Sequence, residues 1–209
     1  MIEAIIFDCD GTLVDSEPLG NEALIQSLAE EGIALPLRDV ATRFRGRKLV
    51  ESLAKIQAEY GRELPVDFVP KFRARLASLL REHLRPIDGA LDMVKSIRQR
   101  SCVASNGPWE QTQLSLAVTG LLPFFEGSIF SSYEIGAWKP DPALFLHAAA
   151  AMGVHPRACA VVEDSPVGIQ AGIAAGMKVF AYQPDTIDSD LPSTVSVVRH
   201  LSELKVLFA

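Results

Sequence analysis

Four short stretches hold residue types that can act together on one substrate. Asp8-Cys9-Asp10-Gly11-Thr12 closes one short apolar run, Ser105-Asn106-Gly107 a second and Glu163-Asp164-Ser165 a third, while Lys139 stands in Trp138-Lys139-Pro140-Asp141-Pro142. Residues i and i+2 leaving a strand point the same way, so Asp8 and Asp10 can share a substrate, one as nucleophile and the other moving protons. Clustered carboxylates repel unless a cation holds them together, and hard oxygen ligands suit Mg²⁺. Ser105, Lys139 and backbone N–H groups suit the oxygens of a phosphoryl group, over which charge spreads in the transition state.

These stretches meet only if the fold brings their strand ends to one edge. The opening run, Glu3 to Asp8, is apolar and ends in acids and Gly11, the pattern of a buried parallel strand. After Pro86-Ile87-Asp88-Gly89, helical patterns over 90–99, 109–119, 142–152 and 167–175 alternate with strand patterns over 102–105, 128–131, 159–163 and 178–182. Such alternation implies a parallel sheet covered by helices on both faces, with ligands beyond the carboxyl ends of the strands. Between the first strand and Leu84 the pattern is helical only. Spans 21–31 and 49–60 close on Gly32 and Gly61, and 68–84 places Phe68, Val69, Phe72, Leu76, Leu79 and Leu80 on one face. The expected fold class is α/β: a Rossmann-like parallel-sheet core from residues 1–14 and 85–209, interrupted by an all-helical cap domain over 15–84.

In this order and spacing the stretches resemble the four motifs of the haloacid dehalogenase-like hydrolase superfamily, in its subgroup with a small α-helical cap. Motif one matches Asp8 to Glu17, motif two Ser105-Asn106-Gly107, motif three Lys139-Pro140-Asp141-Pro142 and motif four Val162-Glu163-Asp164-Ser165, and Gly168 to Met177 also looks like the family's. The resemblance implies that Asp8 attacks phosphorus and carries an aspartyl phosphate, and that Asp10 protonates the leaving group and then activates water. It implies Mg²⁺ held by the Asp8 carboxylate, the Asp10 backbone carbonyl and Asp164, with Glu163 nearby. Ser105 and Lys139 would bind the phosphoryl group. Asn106, Arg45 and Lys48 are the candidate substrate-binding residues. Phe44-Arg45-Gly46, Ser105 to Pro108 and Trp138 to Leu144 look most like the members that cleave sugar-acid phosphates, so a small sugar or sugar-acid phosphate is the expected substrate.

Two rivals stay open at this point. Sugar-phosphate mutases of the same fold keep the second aspartate, but the β-phosphoglucomutases carry a cap histidine just after motif one, where this chain has Gly20-Asn21. Receiver domains also phosphorylate an aspartate beside Mg²⁺, Lys and Ser/Thr, but they are shorter and uncapped.

The net charge of −6 argues against nucleic acid or anionic membranes as partners. Residues 15–84 hold 11 basic and 11 acidic side chains, so the remaining 9 basic and 15 acidic residues carry the whole imbalance. No apolar run reaches the ~20 residues of a membrane span, and the N-terminus shows no signal peptide. A cytoplasmic, monomeric protein is expected. Cys9, Cys102 and Cys159 read as buried hydrophobes, with Cys9 blunted by the aspartates beside it. Ser165 reads as a helix N-cap, Gly168, Gly172 and Gly176 as close-packing positions, Asp141 as a helix start and Trp138 as core. His147, in a helix of apolar residues, reads as structural, and His83, His155 and His200 lack ligand spacing, which argues against a zinc site. Arg43, Arg45, Arg47 and Lys48 crowd six residues around Gly46; in the family this loop reaches towards the leaving group.

Overall fold

The computed structural model describes residues 1–44, 48–183 and 190–208. Six strands run parallel: β1 (Ala4–Phe7), β2 (Arg100–Ser105), β3 (Ile129–Ser131), β4 (Cys159–Glu163), β5 (Lys178–Tyr182) and β6 (Ser196–Val198). The sheet order is β3-β2-β1-β4-β5-β6. All four residues of β1 are buried, as a strand covered on both faces requires. The chain builds outward from β1 to β2 and β3, then returns to its other side for β4 to β6. The crevice beyond the β1 carboxyl end is therefore the topological switch point, where open α/β sheets bind ligands.

Four helices separate β1 from the rest of the sheet: α1 (Glu17–Glu30), α2 (Leu37–Phe44), α3 (Leu49–Tyr60) and α4 (Phe68–His83). Helices α1 and α4 pack on one another through one continuous apolar cluster that includes Leu24, Leu28, Phe72, Leu76 and Leu80. Each such side chain contributes about 1.5–3 kcal/mol by leaving water. The chain leaves and re-enters the sheet side by side: the Asp15 amide donates to the Arg85 carbonyl, and the Ile87 amide to that of Leu13. Helix α3 ends on Gly61 at φ 60°, the left-handed C-terminal turn that favours glycine.

The remaining helices alternate with the strands: α5 (Ala90–Ser96), α6 (Trp109–Val118), α7 (Ser132–Ile135), α8 (Ala143–Ala151), α9 (Pro166–Ala174) and α10 (Glu203–Leu207). Strand β6 and helices α2, α7 and α10 add to the elements expected from sequence. Each is only three to eight residues long, too short for a period to declare itself. Among the described residues no helix is long and apolar enough to cross a membrane.

Candidate active site

The strand register assembles the site. Phe7 lies level with both Val103 and Val162, so Asp8, Ser105, Glu163 and Asp164 emerge at one edge of the sheet. Immediately after β1 the backbone folds tightly. The Cys9 carbonyl accepts from the amides of Thr12, Leu13 and Val14, and the Gly11 amide donates to the Val14 carbonyl. Gly11 takes φ 84°, and a Cβ there would stand 2.6 Å from an Asp164 carboxylate oxygen. Glycine thus meets two demands at once, positive φ and close approach of an acid.

Lys139 organises the floor. Its Nζ donates to Asp8 Oδ1 at 2.5 Å and to Glu163 Oε1 at 3.1 Å, with all three side chains buried. The other oxygen of Glu163 accepts from the Ser165 amide at 2.7 Å and hydroxyl at 2.8 Å. Glu163 is thereby fixed as a brace for the lysine. Asn106 braces the same residue from the backbone side: its Oδ1 accepts from the Lys139 amide at 3.0 Å and the Ser132 hydroxyl at 2.7 Å. Ser165 caps α9 by accepting from the Gly168 amide, as expected, and a Cβ at Gly168 would overlap the Glu163 carboxylate. Gly172 is likewise needed for packing, against Val179, whereas Gly176 has open space around it and φ 70°, so its role is the turn after α9.

Asp10 sits in a different environment. It accepts from the Ser16 hydroxyl at 2.6 Å, and the Ser105 hydroxyl lies 3.5 Å from its other oxygen. Ser16 stands at the N-cap of α1, yet its side chain makes no cap hydrogen bond. Its hydroxyl serves Asp10 instead, a role hidden in the sequence behind an ordinary helix-start signature. Thr12 was equally silent: its hydroxyl donates to Asp164 at 3.1 Å.

Burial is the largest influence on Asp8, Asp10 and Glu163 and pushes each above the ordinary carboxylate range. Lys139 opposes it at Asp8 and Glu163, and the Ser16 hydroxyl does so at Asp10. Burial pulls the Lys139 ammonium down, but the charges of Asp8 and Glu163 outweigh it and hold the lysine above its usual range. Burial, then Asp10 and Asp8, raise the Cys9 thiol, which keeps it protonated.

Carboxylate oxygens of Asp8, Glu163 and Asp164 lie within 4.8 Å of one another. Hard, buried, mutually repelling oxygens with one lysine for countercharge form a donor set that fits a divalent cation.

Asp8, Asp10, Ser105, Asn106, Lys139, Glu163 and Asp164 all line one cavity of about 190 Å³. The volume is below the roughly 300–1,000 Å³ of drug-sized sites and suits a small ester. On the α1 and α4 side it is walled by Glu17, Asn21, Leu24, Phe72, Arg73 and Leu76. Arg45 and Arg47 lie outside the described residues. Lys48 is not among the lining residues; its ammonium lies 3.9 Å over the Trp138 ring. Trp138 is half-buried rather than in the core, and Tyr133 packs edge-on against it at 5.5 Å. Arg43 pairs with Glu59. Asp141 accepts from the Ala143 amide at the start of α8, as expected. His147 stacks edge-on against Phe130.

The sequence model described as haloacid dehalogenase-like hydrolase matches residues 2–176. The chain is 41% identical to a 6-phosphogluconate phosphatase of Escherichia coli K12, over 99% of this chain and 95% of the relative. It is 29% identical to hexitol phosphatase B of the same organism, over all of this chain and 95% of the relative. Its fold superposes on a conserved haloacid dehalogenase-like protein from Agrobacterium tumefaciens with a TM-score of 0.80 and 29% identity, covering 99% of this chain and 97% of the other.

Proposed function

The chain belongs to the haloacid dehalogenase-like hydrolase family, and from that premise we propose a Mg²⁺-dependent phosphatase that hydrolyses a small sugar or sugar-acid phosphate through an aspartyl phosphate on Asp8. Its kinship with a named phosphatase makes it a phosphoric monoester hydrolase. The observation that carries the mechanism is the unequal pair of aspartates. Asp8 faces the Lys139 ammonium at 2.5 Å, while Asp10 has a hydroxyl at 2.6 Å and no cation within bonding reach among the described residues. Burial raises both carboxyls, but the Lys139 ammonium opposes it at Asp8 and favours the ionised form needed for attack, whereas Asp10, without so close a cation, suits proton transfer to the leaving group.

Asp8 attacks phosphorus, and the bond to the ester oxygen breaks as Asp10 gives that oxygen its proton. Asp10, now ionised, takes a proton from water, and the hydroxide attacks the phosphorus of the aspartyl phosphate. Inorganic phosphate leaves, and Asp8 is again a free carboxylate beside a protonated Asp10. Ser105 and Lys139 bind phosphoryl oxygens, and the Asn106 and Glu163 braces hold Lys139 in place. Asp8 and Asp164, with the Asp10 carbonyl, would hold Mg²⁺, which when bound offsets the charge shared by carboxylates and phosphoryl oxygens. Residues 15–84 act as the cap that excludes water from the cavity, in a cytoplasmic monomer.

The test is a panel of phosphorylated metabolites ranked by kcat/KM with Mg²⁺ and with excess EDTA. The expected result is repeated turnover of p-nitrophenyl phosphate and of sugar phosphates, with 6-phosphogluconate near the top. Full activity in EDTA removes the metal from the mechanism, and a single phosphorylation without turnover removes the phosphatase.

A further inference from the structure

Several cations of residues 15–84 have their charge answered away from the cavity. On α4, Arg75 bonds Ser27 and Glu30, and Lys71 pairs with Asp67. Arg43 pairs with Glu59, and Lys48 rests on Trp138. Arg73 is the exception. It is half-buried, lines the cavity between Phe72 and Leu76, and makes no hydrogen bond or ion pair among the described residues. Its Cζ lies 5.2 Å from the centre of the Tyr133 ring, itself a cavity wall, and Tyr133 is in turn packed on Trp138. An aromatic face steadies a guanidinium without using any of its five N–H donors. The result is a positioned, partly desolvated fork on the α1 and α4 side of the cavity, facing a site whose phosphoryl-binding groups come from the strand ends. A charge taken from water without a partner is costly, and an anion of matching shape relieves that cost.

We propose that Arg73 is a specificity-determining residue that receives a carboxylate at the far end of the phosphate ester, so that the site prefers sugar-acid phosphates to the matching neutral polyol phosphates. The proposal rests on the phosphatase reading above and names the group that selects its substrate. A carboxylate fits better than a second phosphoryl group. It matches the fork bidentately, and it adds one charge rather than two to a cavity of about 190 Å³ already lined by five acids, Asp8, Asp10, Glu17, Glu163 and Asp164.

The test compares 6-phosphogluconate with glucitol 6-phosphate, which has a hydroxymethyl group where the acid has its carboxylate. The reading is the acid-to-polyol ratio of kcat/KM in wild type, Arg73→Ala, Arg73→Lys and Lys48→Ala, with thermal melts confirming that each variant folds. Wild type is expected to prefer the acid. Arg73→Ala should cut the ratio by roughly ten- to a hundredfold, the size of a lost charge-assisted hydrogen bond. Arg73→Lys, which keeps the charge without the fork, should retain part of the preference. An equal fall on both substrates overturns the proposal, because Arg73 then supports cap structure or closure. A ratio unchanged in Arg73→Ala but collapsed in Lys48→Ala also overturns it and moves acid recognition to the loop before α3. A wild type indifferent to the carboxylate refutes Arg73 and the sugar-acid preference while the phosphatase stands. A wild type that turns over no phosphate ester refutes both.

Discussion

Replacing Lys139 with Met removes a charge while keeping most of the side-chain volume, so it isolates the lysine's electrostatic role. Two buried carboxylates depend on that ammonium, Asp8 at 2.5 Å and Glu163 at 3.1 Å. Stripping one partner from a buried ion pair costs about 3–5 kcal/mol. Proton uptake limits the loss. Returning a proton to a carboxyl of ordinary pKa ~4 costs about 4 kcal/mol at pH 7 and about 2 kcal/mol at pH 5.5. At roughly 2–4 °C per kcal/mol for a chain of this size, the melting temperature should fall by roughly 8–16 °C at pH 7 and about half that at pH 5.5. The direction follows from linkage. Without the lysine, the folded-state pKa values of Asp8 and Glu163 rise further above their unfolded values, so the destabilisation is absent below the ordinary carboxylate range and grows as pH rises. Lys139 itself is held above its usual range, so wild type keeps the interaction throughout this window. Thermal melts of both proteins in EDTA at the two pH values check the expectation. A loss equal at both, or larger at pH 5.5, refutes the electrostatic account and points to lost packing against Phe145, over which the ammonium sits at 4.9 Å.

The two aspartates should fail differently. Asp8→Asn should form no phosphoenzyme, whereas Asp10→Asn should form it slowly and hydrolyse it about 10²–10⁴-fold more slowly, as intact-mass analysis of acid-quenched enzyme would resolve; near-normal turnover in Asp8→Asn removes the covalent mechanism. Metal-free protein should melt at lower temperature as pH rises from 6 to 8, because Asp8, Asp10 and Glu163 are held above their unfolded pKa values and the folded state gives up protons that the unfolded state has already lost. Added Mg²⁺ should therefore raise the melting temperature more at pH 8 than at pH 6, and a gain that shrinks with pH would contradict the donor set.

The parts of this molecule legible in its sequence are those where chemistry and period coincide. Buried parallel strands such as Ala4–Phe7 and Cys159–Glu163 are continuous apolar runs ending in acids, so element and functional residue announce each other. The short elements lack that redundancy. Strand β6 is a half-buried edge of three residues, and α2 buries Val40 among charged neighbours whose clustering draws the eye to function instead. Within the site, the sequence named the residues that react but not those that hold them. Ser16 lies inside the first motif with no role of its own legible there, and its hydroxyl serves Asp10. Arg73 carries no motif signal, and only the turn of α4 places it beside Phe72 and Leu76 on the cavity wall while Arg75 meets α1. Spacing on a helix predicts which residues share a face, but which neighbour that face meets is a tertiary fact.

The charge imbalance of the chain is largely the site itself. Outside residues 15–84 acids exceed bases by 15 − 9 = 6, and Asp8, Asp10, Glu163 and Asp164 supply four of that excess. Fully ionised, with Lys139 as the one buried cation among them, they leave the cavity floor at −4 + 1 = −3. Two like charges at 4 Å repel by about 4 kcal/mol at an effective dielectric of 20, so a phosphate dianion meets a floor that rejects it unless further positive charge is present. A divalent cation answers that repulsion for every phosphate ester alike and so selects among none of them. Selection has to come from the other wall of the cavity, where residues 15–84 are neutral overall and a single unanswered cation stands out against its surroundings. Arg73 is that cation among the described lining residues. The division of labour follows from the two charge balances: the strand ends recognise what all substrates share, and the helical insert reads what distinguishes one from another.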